Sequence, residues 1–187
     1  DTGEYYHSFT GEHGGLWRNQ GETEPQRLTG VGFTAEGFDI SSYYRQTESS
    51  KNPRVNFMFK GIGSDELLGD FGFHGGGAAG NELDRADFGL GTPPHALTVA
   101  QSENHTDLYM VVNEEIMVNY PGATCGPNNP LVRADMVFFE TPNGGAVFST
   151  GSIAYGASLP WNNYKNNISR LTLNVLKRFV NPKNFDL

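Results

Sequence analysis

The chain has 187 residues, a formal net charge of -8, a pI near 5.0 and a single cysteine. Without a run of lysine or arginine, this acidic balance excludes nucleic acid as a partner, and one cysteine excludes an internal disulfide and a multi-cysteine metal cluster. No apolar run reaches the roughly 18 residues of a membrane span and the first residues lack a secretory signal pattern, so we expect a folded cytoplasmic protein without a membrane partner.

The first part of the chain, residues 1–54, is aromatic and rich in glycine, and it keeps neither a 3.6-residue nor a 2-residue period. The pattern predicts a loop-rich segment with short strands. Residues 55–187 are predicted to be an α/β portion, and the whole chain to be a single domain or a fragment of one. Within it, 55–59 indicates a short strand, and 65–73 favours either a helical turn or a strand.

Alternating apolar residues predict strands at 95–102 and 107–112, the second running into a hairpin through 113–118. The clearest strand signal is the pair 133–140 and 146–152, joined by the turn sequence TPNGG. Proline, asparagine and two glycines in succession are typical of a tight connection between antiparallel strands. The sequence therefore predicts a β-hairpin here.

An amphipathic helix is predicted near the end of the chain, with Asn166 or Asn167 as its N-cap and Pro182 just beyond it. Its apolar positions recur with the helical period, at Ile168, Leu171, Thr172, Val175, Leu176 and Phe179. Such a stripe needs a sheet to cover. The preceding loop, 151–164, is either a site at a strand-to-helix connection or an aromatic cover.

The stretch GFHGGGAAGNELDR, residues 72–85, is the most informative for chemistry. It contains the letters of a dinucleotide-binding motif, but two acids follow at once and would repel a phosphate. Glu82 lies near phenylalanines, and partial burial would raise the pKa of its carboxyl toward that of a general base. The alternative is a surface ion pair among Glu82, Asp84 and Arg85.

Other reactive groups give weaker patterns. A serine nucleophile elbow is absent, and Cys125 lies in a Gly/Pro-rich loop, where an isolated cysteine is most often incidental. The five histidines lack metal-binding spacing, and His105 with Asp107 reads as part of a turn. Carbohydrate binding through Trp17 and Trp161 has only composition behind it.

Several segments together resemble a known enzyme family. They are GEYYHSFTGEHGGLWR, LLGDFGFHGGGAAGNELDR, VRADMVFFETPNGGAVFSTGSIA and NNISRLTLNVLKRF. Across nearly the whole chain, the sequence resembles the C-terminal part of the large subunit of N,N-dimethylformamidase and its relatives. The resemblance implies a hydrolase that cleaves the C–N bond of small amides such as N,N-dimethylformamide.

The resemblance also implies a fold, a cofactor and partners. The fold is a flavodoxin-like α/β layer, similar to class I glutamine amidotransferases. The cofactor is a mononuclear iron held by tyrosine phenolates and a carboxylate, acting as a Lewis acid. The partners are the small amide substrate, the rest of the large subunit and a small subunit, in a hetero-oligomer. We expect the iron ligands upstream, so no metal ligand is assigned here, although Tyr5, Tyr6, Tyr43 and Tyr44 are conceivable phenolates.

The site residues implied by the resemblance centre on Glu82, which matches the family's general-base glutamate. The substrate-pocket candidates are His74, in the same stretch, and Tyr155 and Trp161, in the loop where this chain departs from the family pattern. The competing hypothesis is a non-catalytic segment of an amidotransferase-like domain that supplies a sheet edge and a subunit interface. In both cases we expect the chain alone to be an incomplete enzyme.

Overall fold

Six strands form one sheet in the part of the chain that the computed structural model describes, namely residues 8–12, 24–112, 126 and 129–185. Their order is β2-β1-β3-β5-β6, with β4 paired to β1, and each of these pairs is antiparallel. The strands are β1 (Gly32–Gln46), β2 (Ala79–Arg85), β3 (Leu97–Glu103), β4 (Met110–Val111), β5 (Asp135–Glu140) and β6 (Ala146–Ser149).

The longest strand, β1, organises the sheet. Its first part pairs with β2 and β4, and Tyr43 to Gln46 pair with β3. The register with β2 shifts between Gly37 and Ser42, which puts an irregularity in the middle of β1. A 15-residue strand therefore lies where the sequence predicted loop with short strands. The sequence pattern did not reveal it, because the shift interrupts the alternation of inward and outward side chains.

Among the described residues, three α-helices and four 3₁₀ turns accompany the sheet. The helices are α1 (Pro25–Thr29), α2 (Tyr155–Ser158) and α3 (Asn167–Phe179), and the 3₁₀ turns are Glu48–Lys51, Asn56–Phe59, Phe88–Leu90 and Trp161–Tyr164. In the described ranges, no helix combines the length and the apolar character needed to cross a membrane.

The predicted C-terminal helix is confirmed as α3. Asn166 is its N-cap, and the side-chain oxygen accepts a 2.8 Å hydrogen bond from the Ser169 amide, as the sequence predicted. Ile168, Leu171 and Val175 are buried on one face of the helix. This face covers the main hydrophobic core, which also contains Tyr44, Tyr109 and Phe138.

The predicted hairpin is confirmed as β5 and β6, with Glu140 opposite Ala146. In the turn, the Thr141 amide donates to the Gly145 carbonyl at 2.8 Å, and Gly144 has a φ of +77°. Glycine reaches that left-handed conformation without steric cost. All six residues of β5 are buried, so the strand lies at the centre of the core.

Other predicted elements differ. Residues 55–59 contain the 3₁₀ turn Asn56–Phe59 in place of a strand, and 79–85 form β2 in place of a glycine-rich loop. The strand predicted at 107–112 is reduced to β4. Its predicted continuation at 113–118 lies outside the described residues.

The strand-rich architecture with an amphipathic C-terminal helix is confirmed, but the flavodoxin-like prediction is not. A flavodoxin-like sheet is parallel, with crossover helices on both faces. Here β5 and β6 are joined by a short turn and every described strand pair is antiparallel. Short turns and register shifts therefore replace the expected crossovers.

Candidate functional site

The glycine cluster allows two segments of backbone to approach each other closely. The Ser41 amide donates to the Gly75 carbonyl at 2.8 Å. A Cβ added at Gly77 would lie 2.6 Å from the Ser41 carbonyl oxygen and closer still to that of Ser42. Side chains at these positions would therefore push the start of β2 away from β1. The glycine cluster therefore lets β2 pack closely against β1, and this contact explains the glycines without a phosphate-binding loop.

Glu82 lies in the middle of β2 with an exposed side chain. The predicted partial burial is wrong, because Phe73 and Phe88 are themselves 70% and 59% exposed and give it no apolar cover. Glu82 pairs in register with the exposed Glu36 of β1. It borders a surface groove of about 460 Å³ that Asp84 also lines. Its role as a general base stays a prediction.

Arg85 is engaged elsewhere. Its guanidinium donates to Thr34 Oγ1 at 3.0 Å and to Asp87 Oδ2 at 2.7 Å. Burial raises the pKa of Asp87, but the hydrogen bond and charge of Arg85 outweigh it and set that pKa below its ordinary value. Glu82 and Arg85 are three positions apart on a strand, so their side chains face opposite sides of the sheet.

His74 lies beside the strand that carries Glu82. Its Nε2 is 2.7 Å from Asn81 Oδ1, and the imidazole is exposed. Asn81 has a φ of +61°, a conformation that asparagine tolerates better than most residues. The structure therefore places His74 next to the residue that precedes Glu82.

Tyr155 is part of the core and not of a groove. It is 5% exposed, and its hydroxyl lies 2.8 Å from Thr172 Oγ1 of α3. Burial raises the pKa of the phenol above its ordinary value. Tyr155 therefore connects α2 to α3, and its role as a substrate-pocket residue stays a prediction.

Trp161 lies on a different part of the surface. Its ring stacks on Phe71 with centroids 6.0 Å apart and tilts against Phe73 at 5.2 Å. These rings line a groove of about 570 Å³, and Phe73 directly precedes His74 in the chain. The roles of Glu82, His74, Tyr155 and Trp161 in a site stay predictions.

The described residues do not fit an iron centre. They contain no group of three or more His, Cys, Asp or Glu side chains able to hold a metal. The Tyr44 hydroxyl donates to the Thr150 carbonyl at 2.8 Å, and burial, then the nearby Tyr155, raises its pKa. A phenolate ligand needs the opposite shift. The neighbouring Tyr43 lies under the Arg45 guanidinium, 5.7 Å from its ring centroid.

Several sequence candidates lie outside the described residues. They are Tyr5, Tyr6, His7, His13, Trp17 and Cys125.

The sequence analysis missed a buried serine–histidine contact. Ser102 Oγ lies 2.7 Å from His105 Nε2 and accepts from the Ala134 amide at 2.7 Å. Because a hydroxyl can donate one hydrogen bond and accept two, the direction of this contact follows the tautomer of His105, whose other ring nitrogen is Nδ1. That nitrogen is buried without a hydrogen-bond partner in the described part of the chain, and burial lowers the pKa of His105 to about 4.

The contact is structural in its present form. Ser102 is 5% exposed and His105 is 4% exposed, so neither can reach a substrate without rearrangement. The pair joins the end of β3 to the segment before β4 and underlies an open cavity of about 1290 Å³. Only the spacing of three residues between Ser102 and His105 could have indicated it.

Comparison with known proteins identifies relatives over most of the chain. A family model described as N,N-dimethylformamidase beta subunit-like, C-terminal, matches residues 1–166. An N,N-dimethylformamidase beta subunit from Paracoccus aminophilus is 45% identical over 178 residues, covering 95% of this chain and 23% of that protein. One from Alcaligenes sp is 43% identical with the same coverage. The chain spans about a quarter of the length of these relatives.

These matches correct the assignment to the large subunit. The family model and both relatives carry the name of the beta subunit, and that name replaces the one expected from the sequence. The correction concerns which subunit the chain resembles. The similarity to a dimethylformamidase-related family is confirmed over nearly the whole chain.

Proposed function

The chain belongs to the N,N-dimethylformamidase beta subunit-like, C-terminal family, and we propose that it is a structural and interface region of an amide-hydrolysing assembly. In this role it supplies packed surface to the rest of a beta subunit and to a further subunit, while the reacting groups lie elsewhere. The assembly hydrolyses the C–N bond of small N-substituted amides, of which N,N-dimethylformamide is the proposed example. The observation that carries the proposal is the 45% identity to about a quarter of a named beta subunit.

An exposed apolar surface supports the interface role. Phe38 and Ile40, in the irregular part of β1, are 78% and 63% exposed. Leu108 and Met110, on the neighbouring β4 segment, are 62% and 52% exposed. Contiguous exposed apolar side chains are typical of surfaces that contact another polypeptide.

Iron remains a proposed cofactor of the assembly and not of this region. The described residues contain no group of three or more His, Cys, Asp or Glu side chains that could hold a metal. Where iron is bound, it supplies Lewis-acid chemistry, and the contribution of this chain is the surface against which that part of the enzyme packs.

A second candidate function is favoured by the position of Glu82. Its exposed carboxylate lies on a regular strand, beside a groove and directly opposite Glu36. A strand holds a side chain more rigidly than a loop does, and a face completed by another part of the assembly could bury this carboxylate. Glu82 would then serve as the general base that removes a proton from the attacking water.

One pair of variants in the complete enzyme separates the two functions. Glu82→Gln keeps the size of the side chain and removes the base, and Glu36→Gln is the matched control on the opposite strand. The structural role predicts that both variants assemble and hydrolyse N,N-dimethylformamide at rates within about twofold of the unsubstituted enzyme. Loss of turnover by about a hundredfold or more in Glu82→Gln alone, with assembly and metal content intact, would instead establish the general-base role.

A further inference from the structure

Helix α3 has a second apolar stripe, on the side away from the core. Leu173, Leu176 and Val180 are 45%, 55% and 80% exposed. Their spacing of three and then four residues places them along one line of the helix surface, whereas Ile168 and Val175 of the inner stripe are buried. This outer stripe is the narrow 3-4 seam that a facing helix fills by knobs-into-holes packing.

Positive charge borders the outer stripe. Arg170 and Lys177, seven positions apart, lie along one edge of it and are exposed. In the described ranges, no ion pair joins either residue to an acid. Arg178 is directed away, since its guanidinium donates to the Lys183 and Asn184 carbonyls and lies over Phe185.

The charge of α3 contrasts with that of the whole chain. The chain has 21 acidic residues against 13 basic ones, and α3 contains no acid at all. An antiparallel two-fold pairing of two α3 helices would set one basic edge against the other, because such an interface brings the same surface of each copy together. Like charges across the pair disfavour that arrangement.

We propose that the outer stripe of α3, formed by Leu173, Leu176 and Val180, binds an amphipathic helix with acidic residues along one edge. The partner's apolar seam covers the three side chains, and its Asp or Glu residues face Arg170 and Lys177. This inference rests on the proposed function in one respect, since the helix is expected from another part of the same assembly. It does not depend on whether Glu82 takes part in the reaction.

Site-specific photocrosslinking in the complete enzyme tests the proposal. A benzoylphenylalanine is placed at position 173 or 176, and the same group at Phe88, which is 59% exposed in a 3₁₀ turn beside α1, is the control position. We expect positions 173 and 176, but not 88, to cross-link to a helical peptide of the assembly with an apolar seam and acidic flank. A cross-link to α3 of a second copy, to an extended or basic segment, or to nothing would overturn the proposal.

A charge reversal gives an independent readout. Lys177→Glu should reduce the cross-link yield from position 176 several-fold, and changing the facing acid of the identified helix to lysine should restore it. If Lys177→Glu leaves the cross-link yield from position 176 unchanged, the proposed contact between the basic edge and an acidic partner is overturned. Sedimentation of the enzyme with phosphatidylserine vesicles, lost in Lys177→Glu, would also overturn it by identifying a lipid surface as the occupant. None of these readouts requires turnover, so they fail or succeed separately from the proposed function.

Discussion

The buried imidazole of His105 makes the stability of the core depend on pH. Ser102 Oγ lies 2.7 Å from its Nε2, Tyr109 packs against its ring with centroids 4.7 Å apart, and its Nδ1 lacks a hydrogen-bond partner among the described residues. Burial therefore holds His105 neutral, with its pKa lowered from 6.5 to about 4. Because the unfolded chain binds this proton at higher pH than the folded chain, acid favours unfolding.

We predict that the free energy of unfolding of the 187-residue chain falls as the pH drops from about 6.5 to 4. One pKa unit corresponds to about 1.4 kcal/mol, so the loss attributable to His105 is roughly 3 kcal/mol across this window. The stability is fully present above the unfolded pKa and declines toward the folded one. Urea titrations at a series of pH values measure it, and His105→Gln should flatten that part of the curve. An identical slope in the variant would contradict the assignment.

The sequence predicted the structural roles of some residues correctly and of others incorrectly. The sequence predicted Asn166 or Asn167 as the helix cap, and Asn166 takes that position, because capping depends on the residue type and its position relative to the apolar period. Glu82 was expected to be partly buried because phenylalanines flank it in the chain. Alternate residues of a strand face opposite sides, so neighbours in sequence do not predict neighbours in space. Tyr155 was assigned to a loop pocket but is covered by α3, a contact 17 positions away.

Among the elements, the junction of β1 and β2 depends on backbone contact. Gly75, Gly77 and Gly80 approach the Ser41 and Ser42 segment at distances that leave no room for a side chain. Helix α3 depends on side-chain caps: the Asn166 amide donates to the Leu159 carbonyl at 3.1 Å and to the Trp161 carbonyl at 2.7 Å, while its oxygen caps the helix. The glycine contacts hold β2 against β1, and the Asn166 cap stabilises the start of the helix that covers the sheet.

We predict that Gly77→Ala lowers the free energy of unfolding by about 1–3 kcal/mol, because the new methyl group would overlap the Ser41 and Ser42 carbonyls. Gly156→Ala is the control: it meets nothing within 4 Å and lies in α2, where alanine is favoured by up to about 1 kcal/mol. Chemical denaturation measures both changes. If Gly77→Ala proves as benign as Gly156→Ala, close approach is not the reason for the glycine.

We predict that Asn166→Ala lowers the free energy of unfolding by about 1–2 kcal/mol, because α3 loses its cap and nearby carbonyls lose a donor. Asn56→Ala makes the same chemical change at an exposed position and should alter stability by less than about 0.5 kcal/mol. Thermal and urea unfolding of both variants give the comparison. Equal effects would mean that Asn166 does not cap the helix.

Taken as a whole molecule, the described chain is an antiparallel sheet with one covering helix, and two of its exposed apolar surfaces are proposed to contact other parts of the assembly. One is the Phe38 and Ile40 region of β1, and the other is the outer stripe of α3. Local patterns predicted the β5–β6 hairpin and α3, since both follow from turn residues and periodicity over short distances. The strand order and antiparallel direction follow from long-range pairing and from the shift within β1, which no local pattern encodes.

The measurement that tests the central claim most directly is hydrolysis of N,N-dimethylformamide by the folded 187-residue chain alone, beside the complete enzyme of the same source. If the chain is a structural and interface region, the chain alone should show no turnover above the uncatalysed rate, and activity should be found only in the complete assembly. Turnover by the isolated chain would contradict this account, because every reacting group would then have to lie within these residues.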